Sequence, residues 1–232
     1  MMRKVLVTLA ILGFALALLP LAYRAGVQDR PGALAAGYLD DAPRELGAAN
    51  VVTAIVVSYR GFDTLGEVAV LFAATAGVGA MLTKKRLGPD AASGRGTPAT
   101  EVLRTATGLL TGLLVMFGVY IFTHGHLTPG GGFQGGVVIA TAILLNLMSR
   151  PESRLSHGLM TGIESLSGAA YVALGLLGAI FALGFLDPRI LPIGRVGSLL
   201  SAGSVPLIYS VIGLKVGAEL SGILEALKGD RE

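Results

Sequence analysis

The sequence predicts an all-helical integral membrane protein with about six membrane-spanning helices and one short half-inserted helix. Of its 232 residues, 53% are hydrophobic and only 14% are charged, whereas soluble domains carry roughly 25% charged residues. No Asp, Glu, Lys or Arg occurs between Thr105 and Ser149, a run that is too long for one crossing and suits two. Glycine is also abundant, with 34 residues, which favours close packing of helices in lipid.

Six apolar segments are long enough to cross a bilayer. They are predicted at residues 5–23, 62–83, 102–122, 133–149, 163–186 and 197–220. The first could instead be a signal peptide, but its uncharged run is longer than the ~7–15 apolar residues typical of one. Residues 24–45 are read as a mixed-charge connection, and a kink is expected at Pro206 in the last helix.

One further uncharged segment, residues 46–59, is too short to cross. A helix of this length rises only ~21 Å, against a hydrocarbon core of ~30 Å. It is therefore predicted to be half-inserted. The polar stretch 84–101 is predicted to be a cytoplasmic linker, which divides an N-terminal module (1–83) from a C-terminal four-helix module (102–232).

The chain is expected to lie in the cell (plasma) membrane, and the distribution of lysine and arginine predicts that both of its termini are cytoplasmic. With six crossings, eleven basic residues fall inside and six outside, as the positive-inside rule requires. The inner set is Arg3, Lys4, Lys84, Lys85, Arg86, Arg95, Arg104, Arg150, Arg154, Lys228 and Arg231. The outer set is Arg24, Arg30, Arg44, Arg60, Arg189 and Arg195.

The stretch THGHLTPGGGFQGG, residues 123–136, separates two of the predicted spans. It is either a tight helix hairpin or a backbone-lined, hydrated vestibule, in which Gln134 would supply a donor and an acceptor. The candidate loop residues are Pro129, Gly130, Gly131, Gly132, Gln134, Gly135 and Gly136. The embedded G-x-G-x-x-G pattern is not read as a dinucleotide site, because both flanks are apolar membrane segments rather than a strand and an amphipathic helix.

Two histidines, His124 and His126, open the same stretch. A metal site is not predicted, because the pair gives at most two ligands and the chain has no cysteine to complete a tetrahedral set. A proton relay is chemically possible, since histidine titrates near neutral pH. A structural hydrogen-bonding role at the membrane surface is the simpler alternative.

Charged residues inside predicted spans are candidates for an ion path, because such residues are costly in lipid and usually face protein or water. Glu67 lies six residues into its span, and Asp63 lies one turn earlier on the same helical face. The alternative is that both acids sit near the helix start, where the helix dipole favours negative charge. Lys215 and Glu219 are spaced i, i+4 on the last span, where Lys215 either snorkels to the headgroups or faces a neighbouring subunit. Glu164, at the start of the fifth span, is read as structural.

Two groups of motifs carry a family resemblance. The strings THGHLTPGGGFQGGVVIATAILL and IGLKVGA resemble the MnhB/MrpB-type subunit of multisubunit sodium/proton antiporters. The string NVVTAIVVSYRGFDTLGEVAVLFAATAGV is similar to the C-terminal segment of the large antiporter subunit, or to the MbhE-type subunit of membrane-bound hydrogenases. The chain thus resembles a fusion of two neighbouring subunits.

The resemblance implies a transporter-complex subunit without a catalytic centre or cofactor of its own, working with Na⁺ and H⁺ as transported ions. Its partners would be the other membrane subunits of an Mrp-type antiporter or of a membrane-bound hydrogenase complex. Glu67 corresponds to a proposed ion-path acid of the family, and Lys215 to a lysine of the last helix. A purely structural brace and a self-sufficient small transporter are the competing hypotheses.

Overall fold

In the computed structural model, residues 2–27, 31–86, 99–150 and 152–229 are described, and every regular element within them is helical. Most of the predicted linker, residues 87–98, lies outside the described residues. The chain divides into two compact units, Met1–Asp40 and Asp41–Glu232. The elements are α1 (Met2–Val27), α2 (Ala33–Leu46), α3 (Val51–Ala54) with a π-helical turn (Ile55–Tyr59), α4 (Gly61–Arg86), α5 (Glu101–Thr123), α6 (Gly132–Ser149), α7 (His157–Phe181), a 3-10 turn (Pro188–Ile190) and α8 (Val205–Gly229).

The prediction of an all-helical membrane protein with six crossings is confirmed. Six helices are long and apolar enough to span a bilayer, and they lie within α1, α4, α5, α6, α7 and α8. The first unit contains α1, whose apolar side chains from Val5 to Leu21 are exposed along the helix. Such a surface suits lipid or other membrane helices. The other five spans belong to the second unit.

Helix α8 is the central element of the second unit and packs against α4, α5, α6 and α7. Its buried face carries Ile208, Ile212 and Val216. Glycine makes the closest of these contacts possible, because a Cβ on Gly136 of α6 would lie 2.7 Å from the Cβ of Val216. The small-residue packing expected from the composition is therefore a property of the α6–α8 contact.

Three connecting segments meet at one end of this bundle: residues 47–60, 124–131 and 182–204. The backbone N–H of Asn50 donates to the carbonyl of His126 over 3.0 Å. At the other end of the first segment, a Cβ on Gly61 would lie 3.2 Å from the Cβ of Leu186. Because both ends of the segment lie at the same face of the bundle, residues 51–59 do not cross the membrane.

Several predicted boundaries are wrong. The uncharged segment 46–59 is not one helix: Leu46 ends α2, and a new helix starts at Val51 because Asn50 caps it. Residues 24–45 are not only a connection, since they contain most of α2. Pro206 does not kink α8, because it occupies the second position of that helix, where proline fits and no intrahelical bond is lost.

The fifth span begins six residues earlier than predicted and ends before Ala182. The hydroxyl of Ser156 accepts from the backbone N–H of Leu159 and caps the start of α7. Beyond the helix, the Asp187 carboxylate accepts from the N–H of Leu183, and Leu186 adopts a φ of +60°. These local bonds compete with continuation of the helix, although the residues concerned are apolar enough to resemble one.

Candidate functional site

The glycine loop, residues 124–131, is a tight turn packed against protein. Gly130 and Gly131 have φ values of +150° and +157°, a region that L side chains rarely adopt. A Cβ on Gly125 would lie 2.6 Å from the ring of Tyr209. Pro129 and Gln134 are exposed. The geometry therefore corresponds to the tight hairpin, and Gln134 does not line an enclosed vestibule.

Asn50, which caps the start of α3, holds this loop by hydrogen bonds. Its side-chain amide donates to the carbonyls of Gly125 and Thr128, over 2.8 and 2.9 Å. The Thr53 hydroxyl also donates to the carbonyl of Gly125, over 2.6 Å. Neither Asn50 nor Thr53 was predicted from the sequence. Asn50 could have been recognised as a helix cap, because it immediately precedes an apolar run, but its partners in the loop could not.

The two histidines lie in different environments. The ring of His124 stacks on Tyr120 with centroids 4.2 Å apart, and its Nδ1 is 3.0 Å from the carbonyl oxygen of Tyr120. His126 is fully buried, its Nε2 lies 3.4 Å from the carbonyl oxygen of Ser198, and its Nδ1 has no partner. Burial lowers the pKa of His126 below its ordinary value. The structure thus ties His126 to the 182–204 loop rather than to His124.

The two acids at the start of α4 are both exposed on the surface of the second unit. Asp63 forms a salt bridge with Arg60, immediately before the helix, and this matches the alternative of an acid at the helix start. Glu67 lies one turn deeper, ~9 Å along the axis from Gly61, and within the apolar span Gly61–Leu82. Both acids lie in this apolar segment, and they differ in position: Asp63 pairs with Arg60 at the helix end, whereas Glu67 lies one turn further along α4.

Lys215 and Glu219 form a buried ion pair inside the second unit. The Lys215 Nζ lies 2.7 Å from Glu219 Oε1, and the two side chains are only 9% and 0% exposed. The Lys215 ammonium also lies 5.5 Å from the ring centroid of Phe72 in α4. Neither predicted position of Lys215 is therefore observed, since its side chain turns inward to Glu219 instead of snorkelling or facing outward. Glu219, whose role the sequence leaves open, is thus the partner of Lys215.

A glycine of α7 completes the pocket around the ion pair. A Cβ on Gly168 would lie 3.7 Å from the Lys215 Nζ, so the ammonium packs close to the α7 backbone. Glu164, one turn earlier, is half-buried. The second carboxylate oxygen of Glu219 is buried without a hydrogen-bond partner. The pair is thus enclosed by α4, α7 and α8 and carries one free acceptor.

Comparison with known families gives two matches that follow one another along the chain. Residues 102–222 match the family described as a domain related to the MnhB subunit of the Na⁺/H⁺ antiporter. The chain belongs to the MnhB family. Residues 1–98 match the MbhE family, which is described as a subunit of MBH, so this MnhB-family chain also carries an MbhE-like region. The predicted resemblance to both subunit types is confirmed.

Individual relatives agree with these matches. The MnhB-family chain is 30% identical over 200 residues to an uncharacterized protein of Methanocaldococcus jannaschii, covering 74% of each chain. It is 32% identical to the putative antiporter subunit mnhB2 of Staphylococcus aureus strain Newman, over 52% of this chain and 92% of that protein. It is also 32% identical to a probable K⁺/H⁺ antiporter subunit of the combined A/B type from Rhizobium meliloti, but spans only 15% of that protein.

Solved structures share the fold. A chain of the membrane-bound sulfane sulfur reductase, an archaeal respiratory membrane complex, is similar with a TM-score of 0.79 and 40% identity, and 98% of each chain is covered. A chain of the Mrp complex from Dietzia sp. DQ12-45-1b has a TM-score of 0.75 and 23% identity, with 98% of this chain and 26% of that chain covered. The second likeness concerns the fold alone.

Proposed function

We propose that this chain is a membrane subunit of a multisubunit complex that exchanges Na⁺ for protons, and that Glu67 lines the ion path. The observation that carries the proposal is the position of Glu67, which is exposed on α4 within a membrane span. A carboxylate at this depth is costly against lipid, and it normally faces protein or water. The surface around Glu67 is therefore covered in the assembled complex by another subunit or by a hydrated passage.

Partner subunits suit this surface. Gly66 immediately precedes Glu67 and is also exposed on α4, and a Cβ on Gly66 would meet no atom of this chain within 4 Å. Small residues allow a neighbouring helix to approach closely in a membrane. The partners are proposed to be the other membrane subunits of an Mrp-type antiporter or a related respiratory complex. The similarity to a chain of the sulfane sulfur reductase and to the putative antiporter subunit mnhB2 supports this assignment.

The remaining parts of the proposal concern orientation and chemistry. We place the chain in the cell membrane with both termini in the cytoplasm, because eleven basic residues then lie inside and six outside. The three segments that meet at one end of the bundle would face outward. Na⁺ and H⁺ are the proposed transported ions, and neither a catalytic centre nor a cofactor is assigned to this chain.

A redox-driven assembly is a second candidate for the complex. The specific observation is the 40% identity, over 98% of both chains, to a chain of the sulfane sulfur reductase. In that setting the same Glu67 surface would serve a pump driven by electron transfer. The neighbouring reading frames distinguish the two assemblies, because a redox-linked complex requires companion chains with cysteine ligands for iron–sulfur clusters.

The proposal is tested by substituting Glu67 in the complete complex. Glu67→Ala is expected to abolish sodium-dependent proton movement in inverted membrane vesicles while the yield of the complex is unchanged, and Glu67→Asp is expected to retain part of it. The matched control is Glu101→Gln, which removes an exposed acid from the first turn of another span.

Normal antiport in an assembled Glu67→Ala complex would contradict the ion-path role and leave only structural bracing. The isolated chain in liposomes is expected to conduct no sodium, since Glu67 lies on its outer surface and the proposed path beside it is completed by a partner subunit. Robust sodium flux through the isolated chain would instead support a self-sufficient transporter.

A further inference from the structure

Polar side chains recur along the buried face of α8. Tyr209 lies near the start of the helix, Lys215 lies six residues later and Glu219 ten residues later. At ~1.5 Å per residue, Tyr209 and Glu219 are separated by ~15 Å along the axis, about half of a ~30 Å hydrocarbon core. All three residues are at most 7% exposed, so the series runs through the interior of the second unit.

At one end this series reaches the glycine loop. The Tyr209 hydroxyl donates to the Thr53 hydroxyl over 3.1 Å, and the Thr53 hydroxyl donates to the carbonyl of Gly125 over 2.6 Å. Two hydrogen-bonded hydroxyl groups therefore lie between the start of α8 and the face where the three connecting segments meet. Hydroxyl chains of this kind can pass protons, because each group both donates and accepts.

Tyr171 of α7 supplies a polar group between the tyrosine end and the ion pair. It is 1% exposed, and its hydroxyl is buried without a hydrogen-bond partner. It lies one helical turn from Gly168, where an added Cβ would lie 3.7 Å from the Lys215 Nζ. An unpartnered buried hydroxyl is rare and requires an explanation, such as a water molecule or a transient partner.

We propose that Thr53, Tyr209, Tyr171, Lys215 and Glu219 form a proton-carrying polar file along α8, which serves the ion path proposed for Glu67. The file rests on the proposed function. It carries protons rather than Na⁺, because the Lys215 ammonium repels a second cation at close range. Tyr171 is the proton carrier between the tyrosine end and the ion pair, since its buried hydroxyl has no hydrogen-bond partner among the described residues.

The transfer step within the ion pair follows from its geometry. A proton on Lys215 Nζ moves to Glu219 Oε1 across the 2.7 Å contact, so that one N–H bond breaks, one O–H bond forms, and the pair becomes a neutral amine and a carboxylic acid. The proton leaves Glu219 after the carboxyl group rotates, which carries the protonated oxygen to the position of the unpartnered Oε2. The other acids on the helices packed against this file are Glu67 on α4 and Glu164 on α7.

A purely structural explanation of these residues is weaker. A buried ion pair is seldom more stabilising than apolar residues of the same volume. A buried hydroxyl without a partner is a cost that phenylalanine would avoid. Nothing in the packing of α7 or α8 therefore requires the hydroxyl of Tyr171 or the charges of Lys215 and Glu219.

The first test is Tyr171→Phe in the complete complex, which removes one oxygen atom and keeps the ring. The rate of sodium-driven proton movement is expected to fall by about tenfold or more, as for loss of a positioned proton carrier, with unchanged complex yield. Tyr120→Phe is the matched control, because Tyr120 lies on α5 with an exposed side chain. If the Tyr171→Phe complex moves protons as fast as the Tyr120→Phe control, the proposed proton-carrying file is wrong.

The second test detects the proton on Glu219 directly. Infrared difference spectra of the complex, recorded at high and low sodium, are expected to contain a protonated carboxyl band that Glu219→Gln removes and Glu101→Gln does not. Absence of that band would also overturn the proposal. The two proposals fail separately: if Glu67→Ala blocks antiport but Tyr171→Phe does not, only the file is wrong, whereas normal antiport in Glu67→Ala contradicts the proposed function itself.

Discussion

The contact between α5 and α6 gives a sharp prediction about glycine. A Cβ added to Gly135 would lie 2.6 Å from the carbonyl oxygen of Gly118 and 3.0 Å from the Cβ of Phe122. Ordinary van der Waals contact begins at 3.4 Å, so the two helices would have to separate by ~0.8 Å along this direction. The opposing atom is backbone and cannot rotate away. Gly135→Ala is therefore expected to destabilise the protein by about 1–3 kcal/mol, and Gly135→Val by more.

The measurement is the thermal unfolding midpoint of the purified complex in detergent, together with complex yield. Gly112→Ala in α5 is the matched control, because a Cβ there meets no atom within 4 Å. Alanine in a helix interior is favoured over glycine by ~1 kcal/mol, so the control should be neutral or slightly stabilised. Equal midpoints for Gly135→Ala and Gly112→Ala would refute the argument from close packing.

Three further predictions concern the loop face and the ion pair. Asn50→Ala should lower stability by about 1–3 kcal/mol, because the Thr128 carbonyl loses its donor and the Gly125 carbonyl keeps only the Thr53 hydroxyl; unchanged protection of the loop amides in hydrogen exchange would contradict this. His126 has a lowered pKa in the folded protein, so stability should fall as the pH drops below ~6.5, and a His126→Gln protein with the same pH profile would refute the assignment. Lys215→Met alone should cost about 3–5 kcal/mol, because it leaves the Glu219 carboxylate buried and unpaired. Adding Glu219→Leu should recover most of that loss, as measured by complex yield and unfolding midpoint.

The spanning helices could be predicted from the sequence because hydropathy and length suffice to identify them. The ends of these helices were harder to predict, because a polar side chain can cap and end a helix within a segment that is apolar in composition. Residues 182–186 are apolar enough to extend α7, but Asp187 captures a backbone N–H and ends the helix. The start of α8 was misplaced for a similar reason, since residues 197–204 include apolar positions yet form turns.

Only part of the candidate site could be predicted from the sequence. Charge within a predicted span pointed to Glu67 and Lys215, and the structure keeps Glu67 at an exposed position within its span. The inward turn of Lys215 depends on which helices surround α8, and this cannot be read from one segment. Tyr171 and Tyr209 carry no sequence signal, because an aromatic residue in an apolar span is normally packing. The role proposed for these two tyrosines depends on their tertiary neighbours and on hydrogen bonds between residues far apart in the sequence.

The clamp of Asn50 on the glycine loop has a consequence for assembly. The donor lies in the MbhE-like region and the acceptors lie in the MnhB-family domain, and a single polypeptide carries both. Covalent linkage holds Asn50 and the loop at a high effective concentration. Every copy of the loop therefore has its own Asn50 donor and does not compete for one on a separate chain. Equal stoichiometry of the two elements is thereby built into translation instead of depending on balanced expression.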